Sequence, residues 1–200
     1  TLAHDDLPAD SRRHFAERIL AHTRRMQRLV DDLLDLSRIE SGGWVPNPED
    51  VDLSQITADV IALAREAAAA RGSSLETDIV AARTVYADPT AVRQVLSNLV
   101  ENAVRHTTGG HIVLFSRARK DGGVELGVRD TGIGIPSDQL PRIFERFYRV
   151  DPARSREEGG TGLGLAIVRH LVRAHSGDVR AESAVGAGTT VTATFPPRAA

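Results

Sequence analysis

A long run of helical spacing over residues 11–41 constrains the fold of this chain more than any other feature. Its apolar or semi-apolar positions alternate steps of four and three, at Phe15, Ile19, His22, Met26, Leu29, Leu33 and Leu36. That is the seam spacing of a coiled coil or a helical bundle. Leu20, Val30 and Leu34 widen the stripe, which predicts more than one neighbouring helix. The alternative is an isolated amphipathic helix lying on its own domain.

Gly42 and Gly43 end this helix, and a stretch with two prolines follows at residues 44–52. We interpret that stretch as a linker. The sequence therefore predicts two parts, a helical hairpin segment at 1–43 and a separate domain at 50–197.

The second part alternates helical and strand patterns around a glycine-rich irregular segment at 130–162. We predict helices at 53–71, 89–106 and 162–176, and strands at 75–80, 84–87, 111–119, 124–129, 178–183 and 189–195. This alternation predicts an α+β fold, a two-layer α/β sandwich in which a mixed sheet packs on helices.

Composition excludes several classes of protein. The net charge is −2, from 25 basic and 27 acidic residues, so we expect neither nucleic acid nor an anionic membrane as a partner. The absence of cysteine excludes disulfides and thiolate metal sites. No apolar run approaches the ~20 residues that cross a bilayer.

Several polar residues interrupt the apolar helix predicted at 89–106. Asn98, Asn102 and either Arg105 or His106 fall on one helix face. A carboxamide oxygen suits Mg²⁺, which takes its other oxygens from substrate phosphates and water, and Arg105 would offset phosphate charge. The alternative is that both asparagines are ordinary surface amides.

A second motif, Asp130-Thr131-Gly132-Ile133-Gly134-Ile135-Pro136, follows a predicted strand. A carboxylate at a strand end can accept a hydrogen bond, for instance from the exocyclic amine of adenine. The glycines permit close backbone approach or positive φ. By itself, the motif is equally compatible with a plain glycine turn.

A third motif, Gly159-Gly160-Thr161-Gly162-Leu163-Gly164-Leu165, leads into a helix. Exposed backbone N–H groups at a helix N-terminus form an anion site. The missing Gly-Lys-Ser/Thr ending excludes a P-loop. Glu182 lies where a dinucleotide fingerprint would have its acid, but that fingerprint follows the first strand of a βαβ unit.

Three of the eight aromatic residues cluster between these motifs, at Phe144, Phe147 and Tyr148. With Arg146, Arg149, Arg154 and Arg156 they predict a lid that brings arginines to phosphate. A small satellite core is the alternative. Further on, Gly186-Ala187-Gly188-Thr189-Thr190 predicts a hairpin turn, with a threonine hydroxyl near the ligand as a secondary possibility.

Taken in order, these motifs resemble the N, G1, F, G2 and G3 boxes of the catalytic ATP-binding domain of sensor histidine kinases. That domain belongs to the superfamily of gyrase, heat-shock chaperone and mismatch-repair ATPases. The resemblance covers roughly residues 50–197, and residues 33–42 are similar to the end of the second helix of the kinase dimerisation hairpin. It implies a Bergerat-type ATP-binding fold.

The resemblance also implies ligand contacts for individual residues. Asp130 would read adenine, Asn102 would hold Mg²⁺ with support from Asn98, and Arg105 and His106 would contact the triphosphate. The family usually has Lys and Tyr at the last two positions. The rest of the predicted cofactor-binding set is Gly132, Gly134, Ile135, Tyr148, Gly160, Thr161, Gly162, Leu163, Gly164, Leu165 and Thr190.

The phosphoacceptor box of the family, His-Glu/Asp-Leu-Arg/Lys-x-Pro, has no proper match here. The run His4-Asp5-Asp6-Leu7-Pro8 echoes it in broken order, and neither His14 nor His22 fits. We therefore expect the acceptor histidine to be missing from this chain, and the chain alone not to autophosphorylate.

In function, the resemblance implies ATP-dependent transfer of the γ-phosphoryl group to a hairpin histidine, and then to an aspartate of a response regulator. The general base would belong to the missing acceptor box, and Glu101 is a lesser candidate for it. It implies a homodimer through the hairpin and a cytoplasmic domain of a membrane-anchored bacterial protein. Two rival classes are an ATPase that drives a clamp and a nucleotide-free interaction module; a serine kinase of the anti-sigma type normally lacks such a hairpin helix.

Overall fold

The computed structural model describes residues 9–151 and 160–198. The helices are α1 (Ala9–Glu40), α2 (Leu53–Ala70), α3 (Pro89–His106) and α4 (Gly164–Ala174), with a 3₁₀ turn at Leu140–Arg142. The strands are β1 (Glu49–Asp52), β2 (Ser74–Asp78), β3 (Thr84–Ala87), β4 (His111–Ala118), β5 (Val124–Asp130), β6 (Asp178–Ala184) and β7 (Gly188–Phe195). The helices and strands predicted from the sequence are all present, with ends shifted by a few residues.

The main sheet has the strand order β2-β4-β5-β7-β6. Its β2–β4 pair is parallel and the other pairs are antiparallel. Helix α3 packs between α2 and α4, and the three helices contact the sheet. The predicted α+β class, with a mixed sheet packed on helices, is confirmed.

One strand was missed by the sequence analysis. The predicted linker contains β1, which pairs antiparallel with β3 so that Val51 lies opposite Val85. Both valines are buried. A four-residue strand with one buried side chain leaves too little alternation to be recognised, and its partner is remote in sequence.

Helix α1 has the long amphipathic pattern that the seam spacing predicts, and its C-terminal part lies on the domain that follows. Leu36 is buried in the main core, and Leu29 and Ile39 pack against it. The other large apolar side chains described on this helix are exposed: Phe15, Ile19, Leu20, Met26, Val30, Leu33 and Leu34. Within the described residues, no helix has the length and apolar character needed to cross a membrane. The run His4–Pro8 lies outside the described part of the chain.

Candidate functional site

A cavity of about 350 Å³ opens between α3, α4 and the adjoining ends of β5 and β7, with α1 on one side. It brings together residues from all the motifs singled out in the sequence. The predicted residues that line it are Asn98, Glu101, Asn102, Arg105, His106, Asp130, Gly134, Ile135, Tyr148, Gly160, Thr161, Gly162, Gly164 and Leu165. Gly132, Leu163 and Thr190 were also predicted but do not line it.

Helix α3 forms one wall of the cavity. Asp88 caps its first turn through hydrogen bonds from the backbone amides of Thr90 and Ala91 to Oδ1. One helix face is apolar and buried, which turns Asn98 and Asn102 toward the cavity. Arg105 Nη1 lies 3.5 Å from Asn102 Oδ1. The wall therefore offers amide oxygens beside a guanidinium cation.

A buried carboxylate, Asp130, lies at the end of β5. Its Oδ1 accepts hydrogen bonds from the backbone amides of Gly132 at 2.8 Å and Thr189 at 3.2 Å. Burial raises the pKa of Asp130 above its ordinary value, and the two amide hydrogen bonds partly offset that rise. The pairing of β5 with β7 thus holds an acceptor in a fixed orientation.

The two glycines after Asp130 allow the loop to lie against its neighbours. A Cβ on Gly132 would approach the carbonyl oxygen of His106 to 2.3 Å. Gly134 has a φ of +68°, and its Cβ would lie 2.0 Å from the carbonyl oxygen of Ala184. Gly132 therefore serves the site by close packing on the end of α3 rather than by lining the cavity.

The segment from Gly160 to Leu165 forms the opposite wall and leads into α4. Leu163 is fully buried and anchors the segment, which is why it does not face the cavity. Among the described residues no side chain caps α4, which leaves its first amides available to an anion. A Cβ on Gly164 would lie 2.9 Å from Asn98 Oδ1, so the helix start and the α3 amide are in close contact.

The aromatic loop is partly a satellite core and partly a wall of the cavity. Phe144 is buried, whereas Phe147 is exposed and has a φ of +59°. The backbone amide of Phe147 donates to the Gly162 carbonyl at 2.9 Å, and Arg149 donates to the Gly160 carbonyl. The loop is thus tied to the glycine segment. The predicted lid residues Arg154 and Arg156, and Gly159, lie outside the described residues.

The threonine that reaches the cavity is Thr189, with Val191, and Thr190 does not reach it. Thr190 lies opposite Arg129 in the β5–β7 ladder and lines a shallow depression elsewhere. Side chains on a strand alternate between its two faces. Thr189 and the predicted Thr190 therefore point to opposite faces, and of the two it is Thr189 that reaches the cavity.

Two lining residues that the sequence analysis missed come from α1. Arg28 and Asp32 both reach the cavity, which Thr161 also lines. Their spacing of four puts them on one helix face. No local signal could have identified them, since their role depends on how α1 lies on the domain.

Known protein families match two parts of the chain. Residues 87–199 match the family described as Histidine kinase-, DNA gyrase B-, and HSP90-like ATPase. That match covers more than half of the chain, so the chain belongs to this family. Residues 1–42 match the His Kinase A (phospho-acceptor) domain. The predicted recognition, a sensor histidine kinase catalytic region, is confirmed.

Individual relatives agree with the family. The chain is 39% identical over 195 residues to the sensor-like histidine kinase SenX3 of Mycolicibacterium smegmatis, covering 98% of this chain and 50% of SenX3. Full-length ShkA, solved in complex with AMPPNP, is 30% identical with a TM-score of 0.80, covering 98% of this chain and 41% of that one. The chain therefore spans about half the length, or less, of these relatives.

A further solved structure shares the fold. The histidine kinase ThkA, in complex with the response regulator protein TrrA, has a TM-score of 0.76 at 23% identity. The alignment covers 97% of this chain and 53% of that chain.

Proposed function

We propose that the chain binds ATP in this cavity and is the catalytic region of a protein-histidine kinase. One observation carries the proposal: a fixed, buried carboxylate and an uncapped helix N-terminus line the same cavity. Asp130 would accept a hydrogen bond from the adenine amine. The amides of the Gly160–Leu165 segment would receive the phosphates, with Arg105 and His106 beside them. The AMPPNP complex of ShkA supports the same ligand class.

The residues present fit a magnesium ion. Asn98 and Asn102 place carboxamide oxygens on one face of α3, and Gly164 has no Cβ to displace the oxygen of Asn98. Such neutral oxygens suit an ion that keeps water and phosphate ligands. When bound, Mg²⁺ would neutralise phosphate charge. Asn102 would then hold the ion, with Asn98 in support.

In the proposed reaction, an imidazole nitrogen forms a bond to the γ-phosphorus while the bond to the bridging oxygen breaks and ADP leaves. The cavity residues orient the triphosphate for that displacement and offset its charge. The phosphoryl group then passes to a response-regulator aspartate, a partner class that agrees with the ThkA–TrrA complex.

The exposed apolar side chains of α1 support a homodimer through the hairpin. We propose the division at 1–43 and 50–197 as the matching domain arrangement.

Calorimetry with Mg-ATP tests the site. Asn102→Ala and Asp130→Asn should abolish measurable binding, whereas Asp138→Asn, an exposed carboxylate outside the cavity, should bind like the wild type. Unchanged affinity in both site variants would contradict the proposal.

A second experiment tests the reaction. Supplied with ATP labelled at the γ-phosphorus and a separate acceptor hairpin, the chain should label the hairpin and not itself. An acid-labile phosphohistidine mapped to His4, His14 or His22 would contradict the prediction that the acceptor is missing.

A further inference from the structure

Helix α1 contributes a carboxylate to the cavity at the glycine segment. Asp32 is half-buried there, close to the Thr161 hydroxyl. That hydroxyl accepts a hydrogen bond from the backbone amide of Leu163 at 3.2 Å. Asp32 therefore lines the cavity beside the start of α4, where an anion would bind.

Asp32 lies in a mixed electrostatic environment. Burial raises its pKa, the neighbouring Thr161 hydroxyl lowers it, and the nearby carboxylates of Asp35 and, more weakly, Asp31 raise it again. Arg28, one turn away on the same helix, favours the ionised form. The cavity wall thus has a half-buried carboxyl group beside an arginine from the same helix.

The docking of α1 fixes the position of this carboxylate. Leu36 is buried in the main core, and Gln94 Nε2 of α3 donates to Asp35 Oδ2 at 2.9 Å. These contacts lie within one turn of Asp32. Its carboxylate therefore faces the cavity only while the helix remains seated on the domain.

We infer that Asp32 is a specificity-determining residue of the nucleotide site and disfavours ATP relative to ADP while α1 is docked. This inference rests on the proposed ATP site. ATP carries one more phosphoryl group and more negative charge than ADP. A carboxylate in a region of reduced dielectric repels that added charge more strongly than it would in water. Asp32 also partly neutralises Arg28, and Arg28 would otherwise attract the added negative charge of ATP.

The test compares two neighbouring aspartates. Asp31 precedes Asp32, is exposed, and accepts hydrogen bonds from Gln27 on its own helix at 3.1 and 3.3 Å. Asp31→Asn and Asp32→Asn therefore change the net charge equally. For each variant and the wild type, dissociation constants for AMPPNP and ADP are measured by calorimetry with Mg²⁺, after circular dichroism confirms the fold.

Asp32→Asn should lower the ratio of the AMPPNP to the ADP dissociation constant by roughly 3- to 10-fold. Asp31→Asn should leave the ratio within about 2-fold, since exposed charges are well screened. The ratio should also depend less on salt concentration in Asp32→Asn than in the wild type, a change that a purely structural role would not cause. Gln94→Ala, which loosens α1 without altering the cavity charge, should shift the ratio in the same direction.

The outcomes separate the two proposals. If ADP binds normally and the ratio is the same in Asp32→Asn and Asp31→Asn, the role of Asp32 is wrong and the nucleotide site stands. If the wild type binds neither nucleotide, both proposals are wrong.

Discussion

The backbone amide of Asp88 donates a hydrogen bond to His175 Nε2 at 3.0 Å, which joins the start of α3 to the end of α4. The other ring nitrogen of His175 lies 2.8 Å from the carbonyl oxygen of Leu171. Because Nε2 accepts and Nδ1 faces a carbonyl, the ring is neutral with its proton on Nδ1. The side chain of Asp88 also accepts a hydrogen bond from the backbone amide of Asn47 at 3.0 Å. The segment after α1 is therefore held at the start of α3 as well.

Replacing His175 by Phe should destabilise the protein by about 1–3 kcal/mol, because the buried amide of Asp88 would lose its acceptor while ring packing on Phe195 is retained. The matched control is His111→Phe, where an exposed ring contacts Ser74 Oγ. Urea unfolding measures both. Equal losses of stability in the two variants would show that the hydrogen bond from the Asp88 amide contributes nothing. Separately, nitrogen chemical shifts that indicate a proton on Nε2 of His175 would contradict the Nδ1-protonated tautomer.

Gly188→Ala should destabilise the protein far more than Gly186→Ala. Both glycines have positive φ, +95° and +77°, so both alanines carry backbone strain of about 1–2 kcal/mol. At Gly188, however, the new Cβ would lie 2.0 Å from the carbonyl oxygen of Asp130, whereas at Gly186 it meets open space. We expect an additional loss of about 2 kcal/mol or more at Gly188, measured by urea unfolding. A difference below about 0.5 kcal/mol would contradict the close approach.

The helices and strands that the sequence predicts well are those with a clear capping or apolar pattern within their own residues. Helix α3 begins with Asp88 and Pro89, a cap followed by a favoured first residue, and carries a continuous apolar stripe. In β1 only Val51 is buried, so nothing local distinguishes it from a linker. The side chain of Asp52, at the end of the same strand, forms the N-terminal cap of α2.

The candidate site was predictable where it lies within a motif and unpredictable where it depends on docking or register. Asn102 stands out because an amide is unusual on an otherwise apolar helix, and Asp130 because a two-glycine motif follows it at a strand end. Thr189 lines the cavity instead of the predicted Thr190, because two adjacent threonines do not reveal which of them points to the core face of a strand. Asp32 lies within the coiled-coil spacing of α1, and that spacing does not predict which part of the domain the helix contacts.

Gly164→Ala should leave stability within about 1 kcal/mol of the wild type and still impair magnesium-dependent binding. The new Cβ would lie 2.9 Å from Asn98 Oδ1, and that amide is a flexible group that can turn away. The measurement is AMPPNP affinity with and without Mg²⁺. We expect the gain in affinity on adding the metal to shrink by roughly 3- to 10-fold.

Asn98→Ala supplies the control for that prediction. If Gly164→Ala acts by displacing Asn98, the two changes should not be additive, and Gly164→Ala should have little further effect in the Asn98→Ala background. Full additivity would show that the glycine acts on the helix start itself.

The protonation state of Asp130 should determine base selectivity. Burial raises the pKa of Asp130 above its ordinary value of 3.8, so the protonated form is favoured at a higher pH than for an exposed aspartate. The ionised carboxylate accepts from the amine of ADP and repels the carbonyl oxygen that inosine diphosphate carries at the same ring position. Once protonated, the carboxyl group can donate to that oxygen.

The preference for ADP over inosine diphosphate should therefore be greatest above the raised pKa of Asp130 and fall as the pH is lowered through it. The phosphates of the two ligands titrate alike, so their contribution cancels in the ratio of dissociation constants, which calorimetry measures from neutral pH downward. Above the raised pKa we expect a preference of roughly 10-fold or more, since the wrong ring leaves a buried carboxylate facing an acceptor. A ratio that stays constant with pH would mean that Asp130 does not contact the base.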